Sequence, residues 1–157
     1  MATRSTIALE YADGTVEQVY CHWDGYLAHN GKILFEHYSN PFILRDLIDM
    51  GDISSLGKIV GTKHPFSPHE GDTQKAQYDA AMAQGATTFY GRDRGETGVG
   101  AKRFKDFEDY KANHQYEEYE YILRNVNGVA TWFVSKYDGP YVSLEQALIE
   151  EEVAEEN

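Results

Sequence analysis

Three stretches hold residues whose types and spacing could do chemistry, and the first is Cys21-His22-Trp23-Asp24-Gly25-Tyr26. A thiol nucleophile needs a base within hydrogen-bond reach. Cys21 and His22 are chain neighbours, and neighbours on a strand point to opposite faces, so the two diverge. The base would have to come from elsewhere, such as His29 or His37. The simpler reading of Cys21 is a small buried thiol. His22 and Asp24 do share a face in extended chain. Asp24 could then orient the His22 imidazole as a general base or metal ligand requires. Asp24-Gly25 also reads as ordinary turn chemistry, with Trp23 as a core anchor.

The second stretch is Arg92-Asp93-Arg94-Gly95-Glu96. Two arginines in a glycine-rich loop could grip a phosphate or carboxylate in bidentate fashion. They could equally pair with Asp93, Glu96 and Asp24 and pin the loop to the first hairpin. The run Gly95 to Gly100 lacks the GK[ST] ending of a phosphate-cradling loop. A pocket lined by His22, Asp24 and Tyr26 on one side and by Arg92 and Arg94 on the other is one way to join the two stretches.

The third feature is acidity. Glu108, Asp109, Glu117, Glu118, Glu120 and the C-terminal Glu150, Glu151 and Glu152 form carboxylate rows. Tyr110, Tyr116, Tyr119 and Tyr121 are interleaved with them. The chain has 26 acidic against 14 basic residues, a formal charge of −12. Free nucleic acid and anionic membranes are repelled by such a surface. A basic groove is attracted to it, because spaced carboxylates can imitate a phosphate backbone. A plain solvated face is the simpler alternative. Twelve tyrosines among the 157 residues favour contact, since a phenol buries its ring and keeps its hydroxyl wet.

Certain elements must position these groups. Thr6 to Tyr11 and Thr15 to His22 read as strands around Ala12-Asp13-Gly14. A left-handed Gly14 pairs Ile7 with Val19, the register that buries better. Lys32 to Tyr38 reads as a short helix. Asn40-Pro41 starts another, with Phe42, Ile43, Leu47 and Met50 three or four apart. From Ile53 to Gly71 the pattern reads as loop. A third helix runs to about Gln84, and Ala76, Ala80 and Ala83 would let it lie close against a sheet. Ala86 to Tyr90 reads as strand, Gly91 to Gly100 as loop, and Phe104, Phe107 and Tyr110 mark a fourth short helix.

Asn127-Gly128 is a strong hairpin signal between Tyr116–Val126 and Val129–Tyr137. It puts Tyr119, Tyr121 and Leu123 with Trp132 and Val134, and turns Glu118, Glu120 and Arg124 outward. Ser143 and Gln146 form a capping box for the last helix. Its C-terminal glutamates oppose the helix dipole, so residues from about 150 to 157 should fray. The sum is one α+β domain over 1–157. Its sheet is mostly antiparallel, two hairpins plus one further strand, with helices on one face. A single cysteine, no apolar run near 20 residues and no signal-peptide core predict a cytoplasmic protein.

Arg4-Ser5-Thr6-Ile7-Ala8, Tyr20-Cys21-His22-Trp23-Asp24-Gly25-Tyr26 and Phe89-Tyr90-Gly91-Arg92-Asp93-Arg94-Gly95-Glu96 resemble a family of small phage and prophage proteins. That family brings no functional residues to carry over. The resemblance implies a setting, host cytoplasm, in which small accessory proteins often inhibit restriction or CRISPR effectors. The leading expectation is therefore an inhibitor that binds a basic, nucleic-acid-binding defence complex. Its contact residues would be Glu117, Glu118, Tyr119, Glu120 and Glu150 to Glu152. No catalytic residue, cofactor or metal is assigned, and neither nucleic acid nor membrane is an expected partner. The alternative is a small enzyme or nucleotide-binding protein built on the pocket described above.

Overall fold

The computed structural model describes residues 2–156, and side chains to residue 154. Asn157 and the side chains of Glu155 and Glu156, part of the acidic tail expected to fray, lie outside the described residues.

Strands β1 (Ser5–Glu10) and β2 (Val16–Cys21) pair antiparallel, with Ile7 opposite Val19. Gly14 takes φ +89° in the turn, where the left-handed region favours glycine. A π-helical turn (Leu27–Gly31) runs straight into α1 (Lys32–His37). Helix α2 (Pro41–Asp49) starts on the Asn40 side chain, which accepts from the Phe42 amide at 2.9 Å. Its buried residues are Leu44, Leu47 and Ile48. Phe42, Ile43 and Met50 are exposed, Phe42 to 77%, so only Leu47 of the expected stripe faces the core.

Short strand β3 (Ile53–Ser55) lies where loop was expected, parallel to the end of β2. Helix α3 (Asp72–Gln84) closes on left-handed Gly85. It has no buried residue, and Ala76, Ala80 and Ala83 are all exposed. The expectation that its alanines press on the sheet is therefore corrected. Strand β4 (Thr88–Phe89) pairs antiparallel with β3 and leads into α4 (Tyr90–Arg94), a helical turn inside the expected loop. Strand β5 (Lys102–Phe104) pairs with the start of β2, and α5 (Phe107–Asn113) follows, capped by Asp106.

Strands β6 (Tyr119–Val126) and β7 (Val129–Lys136) meet at left-handed Asn127 and Gly128. Strand β8 (Val142–Ser143) adds to β7, and α6 (Leu144–Glu156) begins where the Ser143 hydroxyl accepts from the Gln146 amide.

The eight strands form one sheet in the order β4-β3-β2-β1-β6-β7-β8, with β5 also on β2. β1 runs parallel to β6, and β2 parallel to β3. The sheet is thus mixed, which corrects the expectation of a mostly antiparallel one. The main core lies on one face, where Ile7, Val19, Tyr121, Leu123, Trp132 and Val134 meet Leu34, Leu44, Leu47, Ile48 and Leu144. The other face is covered as well. Ala8, Val16 and Ile122 pack there with Phe104 and with Tyr110 of α5. Helices on a single face is therefore also corrected. Alternation along β1 and β6 sends every second side chain under α5 rather than into water.

No helix among the described residues is long and apolar enough to cross a membrane.

Candidate functional site

The Cys21 thiol is fully buried. It accepts from the Asn30 amide at 3.3 Å, and burial pushes its pKa up to about 12. It is a neutral thiol at neutral pH and a poor nucleophile. His29 bonds Asn30 at 2.9 Å rather than the thiol, and no contact joins His37 to Cys21 among the described residues. Asn30 also donates to Ser5 and to the Trp23 carbonyl, so this cluster stitches the π-helical turn to β1 and β2. Nothing in the sequence pattern marks Asn30 as the centre of this corner. Gly25 is held in the same corner. A Cβ there would stand 2.7 Å from Ser5 Cβ, and its carbonyl accepts from the Tyr121 hydroxyl at 2.6 Å.

The arginine loop is built inward. Arg92 Nε and Nη2 donate to the two Asp93 oxygens at 2.9 and 3.1 Å. Nη1 donates to the Val60 and Gly61 carbonyls, and Nη2 also to the Thr87 carbonyl. A guanidinium has five N–H groups, and all are engaged. Asp93 accepts further from the His64 and Phe89 amides. Arg92 therefore has no donor left for a ligand. Arg94 pairs with Glu96 and lies over the rings of Phe66 and Tyr90, at 4.4 and 5.0 Å.

Of the other residues in the alternative pocket, His22 bonds the Tyr20 hydroxyl at 2.7 Å and meets the edge of Trp23. Asp24 sits in a left-handed turn at φ +58°, and Tyr26 is exposed beside His29. No hydrogen bond, ion pair or ring contact among the described residues joins His22, Asp24 or Tyr26 to Arg92 or Arg94.

The acidic row is divided by the fold. Glu120 is 1% exposed and pairs with His114, itself buried at the end of α5. It is not part of a solvated row. Its neighbours beneath α5 and the β8 approach are Tyr110 and Tyr141. The His114 Nδ1 faces the Tyr110 carbonyl at 2.6 Å. Burial disfavours the imidazolium, but the Glu120 carboxylate and the Tyr110 and Lys111 carbonyls outweigh it and hold the pKa above its ordinary value. Tyr110 and Tyr121 are likewise core residues.

What remains outside is a compact face. Glu117 and Glu118 are half-buried and form no ion pair among the described residues. With Tyr116, Tyr137 and Asp138 they line a shallow depression of about 330 Å³. Tyr116 and Tyr137 are exposed, 53% and 69%. Tyr119 stacks on buried Tyr121 and leans on Tyr137, so the rings step from core to solvent. Burial, then Tyr137, then Glu151 and Glu118 push the Tyr119 phenol up to about 12. Glu151 of α6 thus acts electrostatically on the residue between the two halves of the expected acidic site. Glu150 accepts from Gln146, while Glu151 and Glu152 border a cleft against α1.

Tyr137 and Asp138 were not seen as turn residues in the sequence. Both are left-handed, at φ +51° and +62°, and Gly139 closes the turn on the Lys136 carbonyl at 2.9 Å. A bulky side chain rarely adopts that region, at a cost of about 1–2 kcal/mol.

No protein-family model, no curated protein and no solved structure matches this chain.

Proposed function

We propose that the chain acts by binding a basic protein surface through the face of Tyr116, Glu117, Glu118, Tyr119, Tyr137 and Asp138. The observation that carries this reading is the strained turn. A tyrosine is held left-handed with most of its ring in water, beside Glu117, Glu118 and Asp138, which form no ion pair among the described residues. The turn's cost is not recovered by burial of Tyr137 in the core. Backbone strain of this kind concentrates where a side chain is presented to a partner. Tyrosine rings anchor interfaces, and charge steers the encounter.

The partner class that fits is the nucleic-acid groove of a host defence complex. Carboxylates would stand in place of phosphates, and the chain would act as an inhibitor without catalysis. The alternative nucleotide pocket is weakened by the saturation of Arg92.

The test is capture from host lysate by immobilised wild type and by the Glu117→Lys/Glu118→Lys and Tyr137→Ala variants. A basic protein should be retained at about 50 mM salt and released at about 500 mM. Both variants should lose it, and the captured protein should lose its nucleic acid when the wild-type chain is added. Identical retention by wild type and variants removes the proposal.

A further inference from the structure

We infer that the cleft between α1 and α6 is a docking groove for a cationic amphipathic helix of a partner protein. This rests on the reading that the partner is basic, but it uses a different set of side chains. The cleft has a volume of about 510 Å³.

Its floor is apolar. Phe35 of α1 faces Leu148 and Ile149 of α6, and Ile149 is 48% exposed. Leu144 and Ala147, which face the sheet, are buried. The turn of α6 that carries Ile149 therefore has a second apolar side left open.

Its rim is acidic. Glu36, Glu145, Glu151 and Glu152 border the cleft, against Lys32 as the one cation lining it among the described residues. None of these glutamates is in an ion pair among the described residues. The helix adds to the same sign. No basic residue stands in the last turn of α6, where cations would be favourable. Acids at that end oppose the helix dipole. A cation laid over the C-terminal half of α6 neutralises both the glutamates and the dipole.

Apolar floor and anionic rim together select the occupant. A small cation has no use for Phe35 and Ile149. An anionic lipid or nucleic acid meets four carboxylates. A second copy of this chain brings a charge of −12 against its own sign. A helix with leucine-like anchors three or four residues apart and lysine or arginine beside them satisfies both parts.

The experiment is fluorescence anisotropy with the full chain and a labelled amphipathic helix of leucine and lysine. A leucine and glutamate helix serves as control. Ile149→Asp and Glu151→Lys/Glu152→Lys are groove variants at exposed or half-exposed positions, and circular dichroism checks that they stay folded. Glu108→Lys, on α5 across the sheet, marks the other face. The lysine helix should bind saturably, and each groove variant should weaken it by at least about tenfold. The other-face variant should stay within about twofold, and the glutamate helix should not bind. The inference is overturned if the lysine helix does not bind, if the groove variants bind it like wild type, if the glutamate helix binds as well, or if the other-face variant weakens it as much. If the lysate capture still depends on Glu117, Glu118 and Tyr137 in that case, the face stands and the groove alone falls.

Discussion

Arg92 and Asp93 are adjacent in the chain and bonded twice to each other, Nε to Oδ1 and Nη2 to Oδ2, with the carboxylate wholly buried. Around this pair the guanidinium gathers three carbonyls, from Val60, Gly61 and Thr87, and the carboxylate gathers two amides. The segment before α3 has little regular structure, so this hub supplies partners that a sheet ladder would otherwise give. Removing either half strands a buried charge. Arg92→Ala and Asp93→Ala should each cost about 3–5 kcal/mol in urea unfolding. Arg92→Lys should recover little, since an ammonium has three donors and no planar fork. If Arg92→Ala left stability unchanged and instead abolished partner binding, the arginine would be a contact residue and the hub would be misread.

Much of the local structure was legible. Asn40-Pro41, Asn127-Gly128 and Ser143 with Gln146 act through bonds a few residues long, so their effect survives without knowledge of the rest. Strands β3, β5 and β8 were not legible. Each is two or three residues long, too short to carry a pattern of its own, and β3 and β5 are created by a partner distant in sequence. The placement of α5 is the costliest omission. Without it, alternation along β6 sends Glu120 to water; with it, the same alternation buries Glu120 against His114. A signal was present in the aromatic crowding of Tyr110, His114 and Tyr116, whose rings are in contact. Tyr137 gave none, because nothing in Tyr-Asp-Gly-Pro marks tyrosine as the left-handed residue.

The His114–Glu120 pair makes stability depend on pH. The His114 pKa is raised in the folded state, so its contribution is complete below the unfolded value and is lost as pH rises through the folded one. Tyr110 and Tyr141 stand beside the pair with their phenols pushed up by burial, so they stay uncharged over that range, and the Tyr116 ring packs against His114. Glu120→Gln should therefore destabilise more at about pH 5.5 than at about pH 9. Paired urea titrations of wild type and variant read this difference. An equal cost at both values would mean that His114 is not charged against Glu120.

The Cys21 thiol should resist alkylation. With the group fully buried and its pKa pushed up to about 12, iodoacetamide at about pH 8 has almost no accessible thiolate to meet. Labelling followed by mass spectrometry should track global unfolding and accelerate in urea. Rapid, complete labelling of the native chain would restore Cys21 as a nucleophile and reopen the enzymatic alternative.

Tyr137 offers the most direct test of a trade between stability and binding. Its left-handed backbone costs about 1–2 kcal/mol, and asparagine tolerates that region far better. The exposed ring gives little packing to lose beyond its lean on Tyr119. Tyr137→Asn should therefore raise stability by about 0.5–1 kcal/mol in urea unfolding, since sites of this kind hold strain for function. The same variant should lose the basic partner in the capture assay, because the anchoring ring is gone while Glu117 and Glu118 remain. A variant that is stabilised and still binds fully would show the turn to be mere strain. One that is destabilised would show that the Tyr119–Tyr137 contact outweighs the backbone cost, and the presentation of Tyr137 would need another cause.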